Sequence, residues 1–288
     1  MRLFGIILLL LLFIGCNKEK QKAPLAFLIK PGSISLAITD ATVQGTASHK
    51  ITDMWYYVNG QFKGAFPLGS TFPVPSTGPT ELIFFPGIKN NGISSTRQPY
   101  EFYAPLTLDT AVNPGVVVNR NFTFSYKSGT KFRWLENFEG FGTTSGISIQ
   151  KSSNTDTTFT ILTNSMTPAP DIYEGAKCMY FALDDNRRVG QFESVALFPL
   201  PKNGAPVYLE MNYKCTEAFE VGVYDATSNY LFVAGVNASP EWNKIYIQLS
   251  FGVSTLTGSN CGWYVRALKS SEGGKSEYWI DNLKILSY

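Results

Sequence analysis

A chain with a single histidine has little room for the commonest catalytic chemistries, and His49 is the only one here. Zinc-protease helices of the H-E-x-x-H type need a second imidazole, and a histidine-based triad would have to use His49 alone. It stands in a polar segment ahead of the first hairpin and reads as an exposed loop residue. No G-x-S-x-G elbow occurs, since Gly142-Thr-Thr-Ser145-Gly146 carries its serine out of register. A phosphate-cradling G-x-x-x-x-G-K-[ST] loop is also missing, which excludes that route to nucleotide chemistry. Beyond Cys16, the cysteines are Cys178, Cys215 and Cys261, an odd number without C-x-x-C spacing. Neither a zinc site nor a disulfide framework is indicated. Each lies in or beside a strand-like run and reads as a buried small hydrophobe. A disulfide between two of them stays open, because an exported protein meets an oxidising compartment.

Carboxylates are harder to dismiss, because glycoside hydrolysis needs only two at the right separation. Glu136, Glu139, Asp184, Asp185 and Asp281 are the candidates, and sequence does not measure separation. Asp184-Asp185-Asn186-Arg187-Arg188 is a loop of mixed sign expected to pair internally. Aromatic residues point to binding, since pyranose rings stack on flat aromatic faces while nearby Asn, Asp or Arg bonds their hydroxyls. Trp263, Tyr264, Val265 and Arg266 share one strand, and period 2 sends Trp263 inward with Val265 and Tyr264 outward with Arg266. The same rule turns Trp242 and Tyr246 outward if Ile245, Ile247 and Leu249 point in. Trp242, Tyr246, Tyr264 and Arg266 are therefore the expected ligand-binding face.

The elements that must position these residues are strands throughout. Ile34, Leu36 and Ile38 alternate with Ser and Ala from Ser33 onward, the period of a half-buried strand. Trp55 to Val58 runs into Asn59-Gly60, and Gln61 to Phe66 runs out, so a β-hairpin with a type I′ turn is expected. Leu82 to Phe85 and Val116 to Tyr126 supply further strands. Pro86 to Tyr100 is long for a connection, and its Lys89, Asn90, Asn91, Arg97 and Tyr100 could form either a polar contact surface or a plain structured loop. Past Lys127 to Lys131 the pattern changes to a succession of short strands and turn clusters without helical periodicity, up to Glu277 to Leu286. That argues for a β-sandwich. The expected fold is all-β, with residues 33–127 and 132–288 as separate sandwiches.

Only 16% of the chain is charged and 14% is aromatic, against about 25% charged in an average soluble protein. The net charge of +2 makes no electrostatic case for nucleic acid. At the front, Arg2 precedes an apolar run from Leu3 to Ile14 that stops at Gly15 and Cys16. This is the pattern of a secretory signal peptide, well short of the roughly 20 residues a spanning helix needs. Residues 17–32 follow as a tether.

Three resemblances add to this reading. Val58-Asn-Gly-Gln-Phe-Lys-Gly-Ala-Phe-Pro-Leu68 is similar to the repeat core of PEGA-like and related small Ig-like β-sandwich domains, which implies fold and no chemistry. Leu135 to Tyr288, with its Phe-Glu opening at Phe138, its Trp242 to Leu249 strand and its closing Trp279-Ile-Asp-Asn-Leu-Lys-Ile285, resembles jelly-roll domains of the carbohydrate-binding-module and galactose-binding-like type. That resemblance implies glycan binding without catalysis. It also implies a structural calcium at Glu139 and Asp281, which otherwise read as solvated carboxylates. Phe13-Ile-Gly-Cys16 resembles a bacterial lipobox, implying lipidation of Cys16, and the Lys18 to Lys22 cluster is similar to the export signal of Bacteroidota-type surface lipoproteins. Together they imply an outer-membrane lipoprotein, anchored in the membrane through its lipid and facing the exterior. It would bind a glycan, or else serve as an accessory subunit that docks a surface protein partner through the Pro86 to Tyr100 loop or a sheet edge.

Overall fold

The computed structural model describes residues 25–75, 78–140, 148–270 and 272–288. The leader with Cys16, residues 17–24 and the Gly142 to Gly146 run lie outside the described residues. Among the described residues, no helix is long and apolar enough to cross a membrane.

The chain forms two β-sandwiches. The first contains β1 (Ala26–Ala37), α1 (Ala41–Gln44), β2 (Asp53–Val58), β3 (Gln61–Pro67), β4 (Phe72–Pro75), β5 (Thr80–Lys89), β6 (Arg97–Pro99), β7 (Leu106–Thr110) and β8 (Val117–Ser125). One sheet runs β4-β1-β8; the other runs β3-β2-β5-β6, with β7 also on β5. Alternation along β2 and β5 sends Met54, Tyr56, Val58, Leu82 and Phe84 into a core shared with Phe27, Ile29, Phe72 and Phe122. The expected hairpin is present, with Asn59 and Gly60 at φ of 48° and 76°, the left-handed pair a type I′ turn needs. The start of the fold differs from expectation: β1 begins at Ala26, seven residues ahead of Ser33 and within what reads as tether on sequence. Phe27 and Ile29 are buried, and β8 pairs with both halves of β1 across a bulge at Pro31. A proline at a bulge is tolerated because no ladder bond is asked of it there.

The second sandwich contains β9 (Lys131–Glu136), β10 (Ile149–Lys151), β11 (Thr160–Thr163), β12 (Lys177–Leu183), β13 (Val189–Ser194), β14 (Val207–Cys215), β15 (Phe219–Asp225), β16 (Tyr230–Val236), β17 (Ser239–Gln248), α2 (Ser250–Thr255), β18 (Cys261–Leu268) and β19 (Ser276–Ser287). A five-stranded sheet runs β10-β13-β18-β15-β16, and a six-stranded sheet runs β11-β12-β19-β14-β17 with β9 also on β19. Leu209, Met211, Ile245, Ile247, Ile280 and Ile285 face inward to meet Val221, Val223, Trp263 and Val265. Trp263 is thus core, as its shared parity with Val265 requires, and its ring lies 5.0 Å from that of Trp134. The three cysteines are free and buried. Burial pushes the Cys178 thiol up to about 12 and that of Cys215 to about 11, which removes them as nucleophiles at neutral pH.

What joins the sandwiches decides which surface is left for function. The first sandwich sits on the outer face of the six-stranded sheet and covers the side chains opposite in parity to the core: Tyr208, Glu210, Lys244, Tyr246, Lys284 and Leu286. Glu210 is fully buried, 2.8 Å from the Lys244 ammonium, and accepts the hydroxyls of Tyr100 at 2.9 Å and Tyr126 at 3.1 Å. Burial alone would raise its carboxyl; Lys244 and Lys284 outweigh that and hold it below its ordinary value. Lys284 donates to the Gln44 carbonyl at 2.8 Å, and burial pushes its amine down to about 7. Around this pair Tyr100 packs at 4.7 Å from Tyr103 and from Tyr246.

The Pro86 to Tyr100 segment is less loop than its sequence suggests. β5 runs on to Lys89, β6 returns beside it, and the turn between them docks on β17. Asn91 donates its backbone N–H to the Tyr246 carbonyl at 2.9 Å and accepts the Gln248 N–H at 2.8 Å through Oδ1. The free edge of β17 is thereby covered from within the chain, which blunts its tendency to pair with another strand.

Candidate functional site

Beyond the area covered by the first sandwich, the outer face of the six-stranded sheet stays open. Cross-strand pairing builds a row there. Tyr180 on β12 lies opposite Trp279 on β19, and Trp279 lies opposite Lys214 on β14. The row continues to Trp242 on β17, whose neighbours Lys244 and Tyr246 share its parity. Met179, Phe181, Tyr213 and Ile280 take the inward positions, so the row points to solvent by the period-2 rule. The rings of Tyr180 and Trp279 are 5.2 Å apart, and the Lys214 ammonium stands 5.2 Å from the centre of the Trp279 ring. From the β11–β12 connection, Asp171 pairs with Lys214 at 2.6 Å and Tyr173 packs on Trp242 at 5.6 Å. Glu277 accepts the Tyr180 hydroxyl at 2.7 Å. Four aromatic rings, a cation and two carboxylates thus share one face, each held by a neighbour. Two donors beside it are unspent: the indole N–H of Trp242 and the side-chain amide of Asn212 are buried without a hydrogen-bond acceptor.

Of the expected binding face only Trp242 belongs to this row. Tyr246 does share its strand and parity, but it is 1% exposed because the first sandwich covers it. Its hydroxyl meets that of Tyr103 at 3.0 Å and accepts the Lys50 N–H at 2.8 Å. Tyr264 and Arg266 lie on the five-stranded sheet, whose outer face is on the far side of the sandwich. Two sheets stand about 10 Å apart, so one small ligand cannot touch both outer faces. Tyr264 points outward as parity requires yet is 2% exposed. Gly222 beneath it has no side chain, and a Cβ there would meet the Tyr264 ring at 2.4 Å, so the ring lies down on the sheet. Arg266 is half-exposed and bound to Glu220, its Nε 2.8 Å from Oε2. Missed on sequence were Tyr180, Trp279 and Tyr173. The first two were within reach, because Met179 with Phe181 and Tyr278 with Ile280 are inward pairs that leave Tyr180 and Trp279 out.

The remaining candidates divide. Glu136 is buried and structural, accepting the N–H groups of Phe138 and Ser148 at 2.8 Å each. Asp184 accepts Arg187 Nε at 3.2 Å within its own loop, the internal pairing expected. His49 is half-buried rather than exposed, and burial lowers its pKa. Glu139 borders a cavity of about 500 Å³ that also touches Asn137, Glu174, Gly175 and Asn282, and Asp281 lies buried behind this lining, within electrostatic reach of Glu139 and Glu174. Glu139 accepts the N–H groups of Ala176 and Lys177 at 2.7 Å each. Asp281 is fully buried at the β19 bulge, where Asn282 adopts a φ of 51°. Its Oδ1 accepts the Asn282 N–H at 2.7 Å, while Oδ2 has no partner. Burial, with Glu139 and Glu174 adding repulsion, pushes its carboxyl up to about 8. Among the described residues, no three acidic, imidazole or thiol groups converge closely enough to hold a metal by themselves.

A second aromatic set lies on the first sandwich, where Trp55 stacks on Phe62 at 5.5 Å and Tyr57 packs on Phe62 and Phe85. Here the indole N–H is spent, donated to Asp53 at 2.6 Å.

No protein-family profile matches the chain, and no curated protein matches it. Similar solved structures are remote. A carbohydrate-binding protein, TmCBM61, in complex with β-1,4-galactotriose is 16% identical over 49% of this chain and 87% of its own, with a TM-score of 0.32. The K3 cleaved adhesin domain of Lys-gingipain from Porphyromonas gingivalis is 14% identical over 56% of this chain and 100% of its own, at 0.38. A structure of carbohydrate-binding modules from the β-sandwich superfamily is 12% identical over 81% of this chain and 86% of its own, at 0.37. Likeness at these scores is too distant to assign a ligand.

Proposed function

We propose that this chain is a non-catalytic binding protein whose ligand is a glycan, taken up on the open half of the six-stranded sheet. The observation that carries this is the cross-strand row of Tyr180, Trp279, Lys214 and Trp242, with Tyr173 beside it. Flat rings offer stacking surface to the apolar faces of sugar rings, and the paired Lys–Asp at the rim suits sugar hydroxyls. Both carboxylates of the face are engaged, Asp171 by Lys214 and Glu277 by Tyr180, which supports binding over hydrolysis.

Affinity gel retardation of residues 25–288 against galactan, arabinan, xyloglucan and mannan tests the reading. At least one polymer is expected to retard the protein, and Trp279→Ala to weaken that binding about tenfold or more, the scale of a stacked anchor residue. Binding untouched by Trp279→Ala and Trp242→Ala, or no binding to any glycan, contradicts it.

The reading extends to two further parts of the chain. Asp281 Oδ2 is a buried acceptor with no partner, and a hard cation such as calcium would supply one. Asp281 and Glu139 would hold it, with Glu174, the Asn137 and Asn282 amides and water completing an oxygen shell. Bound there, the ion would fix the β19 bulge to the start of the sandwich. Calcium is expected to raise the melting temperature of the wild type and not of Asp281→Asn; an EDTA-insensitive melt argues against it. At the N-terminus, Cys16 would carry lipid and anchor the protein at the outer membrane, facing outward. Cys16→Ser is expected to release or mislocalise it.

A further inference from the structure

Where the two sandwiches meet, a groove of about 390 Å³ runs along the edge of β17, lined by Lys50, Lys89, Asn91, Asn237, Asn243 and Lys244 among others. No Asp or Glu lines it. Its polar character follows from the junction: the Asn90 to Thr96 turn and the Lys50 segment bring main-chain and amide groups over β17, where they bond the edge strand and each other. Lys50 Nζ donates to Asn243 Oδ1 at 2.6 Å, which leaves two of its three protons free. Asn243 in turn donates to the Tyr213 hydroxyl at 3.1 Å.

The charge around the groove does not balance. Lys50, Lys89 and Lys244 line it, and the nearest carboxylates paired with cations at this junction are the buried Glu210 and Asp53. Glu210 is shared by Lys244 and Lys284, and Asp53 is held by Arg97 at 3.4 Å. Among the described residues, neither Lys50 nor Lys89 forms an ion pair, and both face the groove. A concave, polar, carboxylate-free surface with two such ammoniums fits an anion, and its walls of amides and hydroxyls fit the hydroxyls of a sugar.

The groove also adjoins the open aromatic face. Asn243 follows Trp242 in β17, and Ser48, which bonds the Tyr173 hydroxyl at 3.2 Å and Asn212 at 2.9 Å, lies just before Lys50. A polymer lying on the aromatic row can pass over the Ser48 to Lys50 segment into the groove. We propose that the groove is a subsite for an anionic substituent of the glycan, a carboxylate or a sulfate ester, read by Lys89 and Lys50. This rests on the glycan reading above and narrows it to acidic polysaccharides.

The test uses the described chain with four probes in gel retardation and titration: neutral galactan, the carboxylated polymer polygalacturonate, chondroitin sulfate and unsulfated chondroitin. Polygalacturonate or chondroitin sulfate is expected to bind at least tenfold tighter than galactan, and the pair that differs only in sulfate tells the two anions apart. Lys89→Glu is expected to remove that advantage while changing galactan binding less than twofold. Lys275→Glu, an equal charge change at an exposed position away from the groove, leaves it intact. Acidic polymers no tighter than galactan, or equal losses in Lys89→Glu and Lys275→Glu, overturn the subsite and leave the aromatic face standing if galactan still binds. Acidic polymers that bind through Lys89 but ignore Trp279→Ala uphold the groove and overturn the face. No binding to any of the four overturns both.

Discussion

The outer face of the six-stranded sheet carries the same residue types twice. One half holds Tyr208, Glu210, Lys244, Tyr246 and Lys284; the other holds Tyr180, Glu277, Trp279, Lys214 and Trp242. Each has aromatic rings, at least one lysine and a carboxylate on the outward side, and β14, β17 and β19 contribute to both. The first half is buried under the other sandwich, so its polar groups must satisfy one another, and they do so as a Glu210–lysine–tyrosine network. The second half has no such cover, and its rings lie partly exposed beside two polar pairs, Lys214 with Asp171 and Tyr180 with Glu277. What separates glue from binding surface here is cover, since burial turns every unpaired polar group into a cost.

The largest effect is expected on the covered half. Glu210→Ala leaves two buried lysines without a counter-charge and should lower unfolding free energy by about 3–5 kcal/mol, read from the urea midpoint. A loss below about 1 kcal/mol would mean that the network is not what holds this face. Trp279→Ala on the open half should do the reverse, costing little stability and about 2 kcal/mol of glycan affinity. Comparable losses in both measurements would erase the distinction between the halves.

A pH difference sharpens it. Lys284 loses its proton near pH 7 when folded and near 10.5 when unfolded, so between those values the unfolded chain holds the extra proton. Stability should then rise with pH by up to about 1.4 kcal/mol per unit in that window. Lys284→Met should flatten the rise, and parallel curves for wild type and variant would contradict the buried placement. The smallest effect concerns Arg266→Ala, which breaks an ion pair exposed by about a third on the far sheet. A stability change of about 0–1 kcal/mol and unchanged glycan binding are expected; a binding loss would move the site to the five-stranded sheet.

Much of this was legible before the fold. The Asn59-Gly60 turn, the inward Trp263 and the outward parity of Trp242, Tyr246 and Tyr264 all follow from period 2 and turn chemistry. Parity, however, names a side of one strand. It does not tell which sheet the strand joins, nor what lies on that side. Tyr264 went to the opposite sheet, and Tyr246 went under a sandwich whose docking depends on contacts more than a hundred residues apart, such as Tyr103 with Tyr246. The early start of β1 was hidden for a related reason, because its hydrogen bonds come from a distant parallel partner, β8.

The five tryptophans allow the central claim to be read directly. In ¹H–¹⁵N spectra of labelled protein titrated with the best-binding oligosaccharide, the indole resonances of Trp242 and Trp279 should shift together. Those of Trp134 and Trp263 in the core, and of Trp55 on the first sandwich, should stay in place. Shifts confined to Trp55, or none at Trp242 and Trp279 under conditions where the glycan binds, would contradict the assignment of the open half as the binding face.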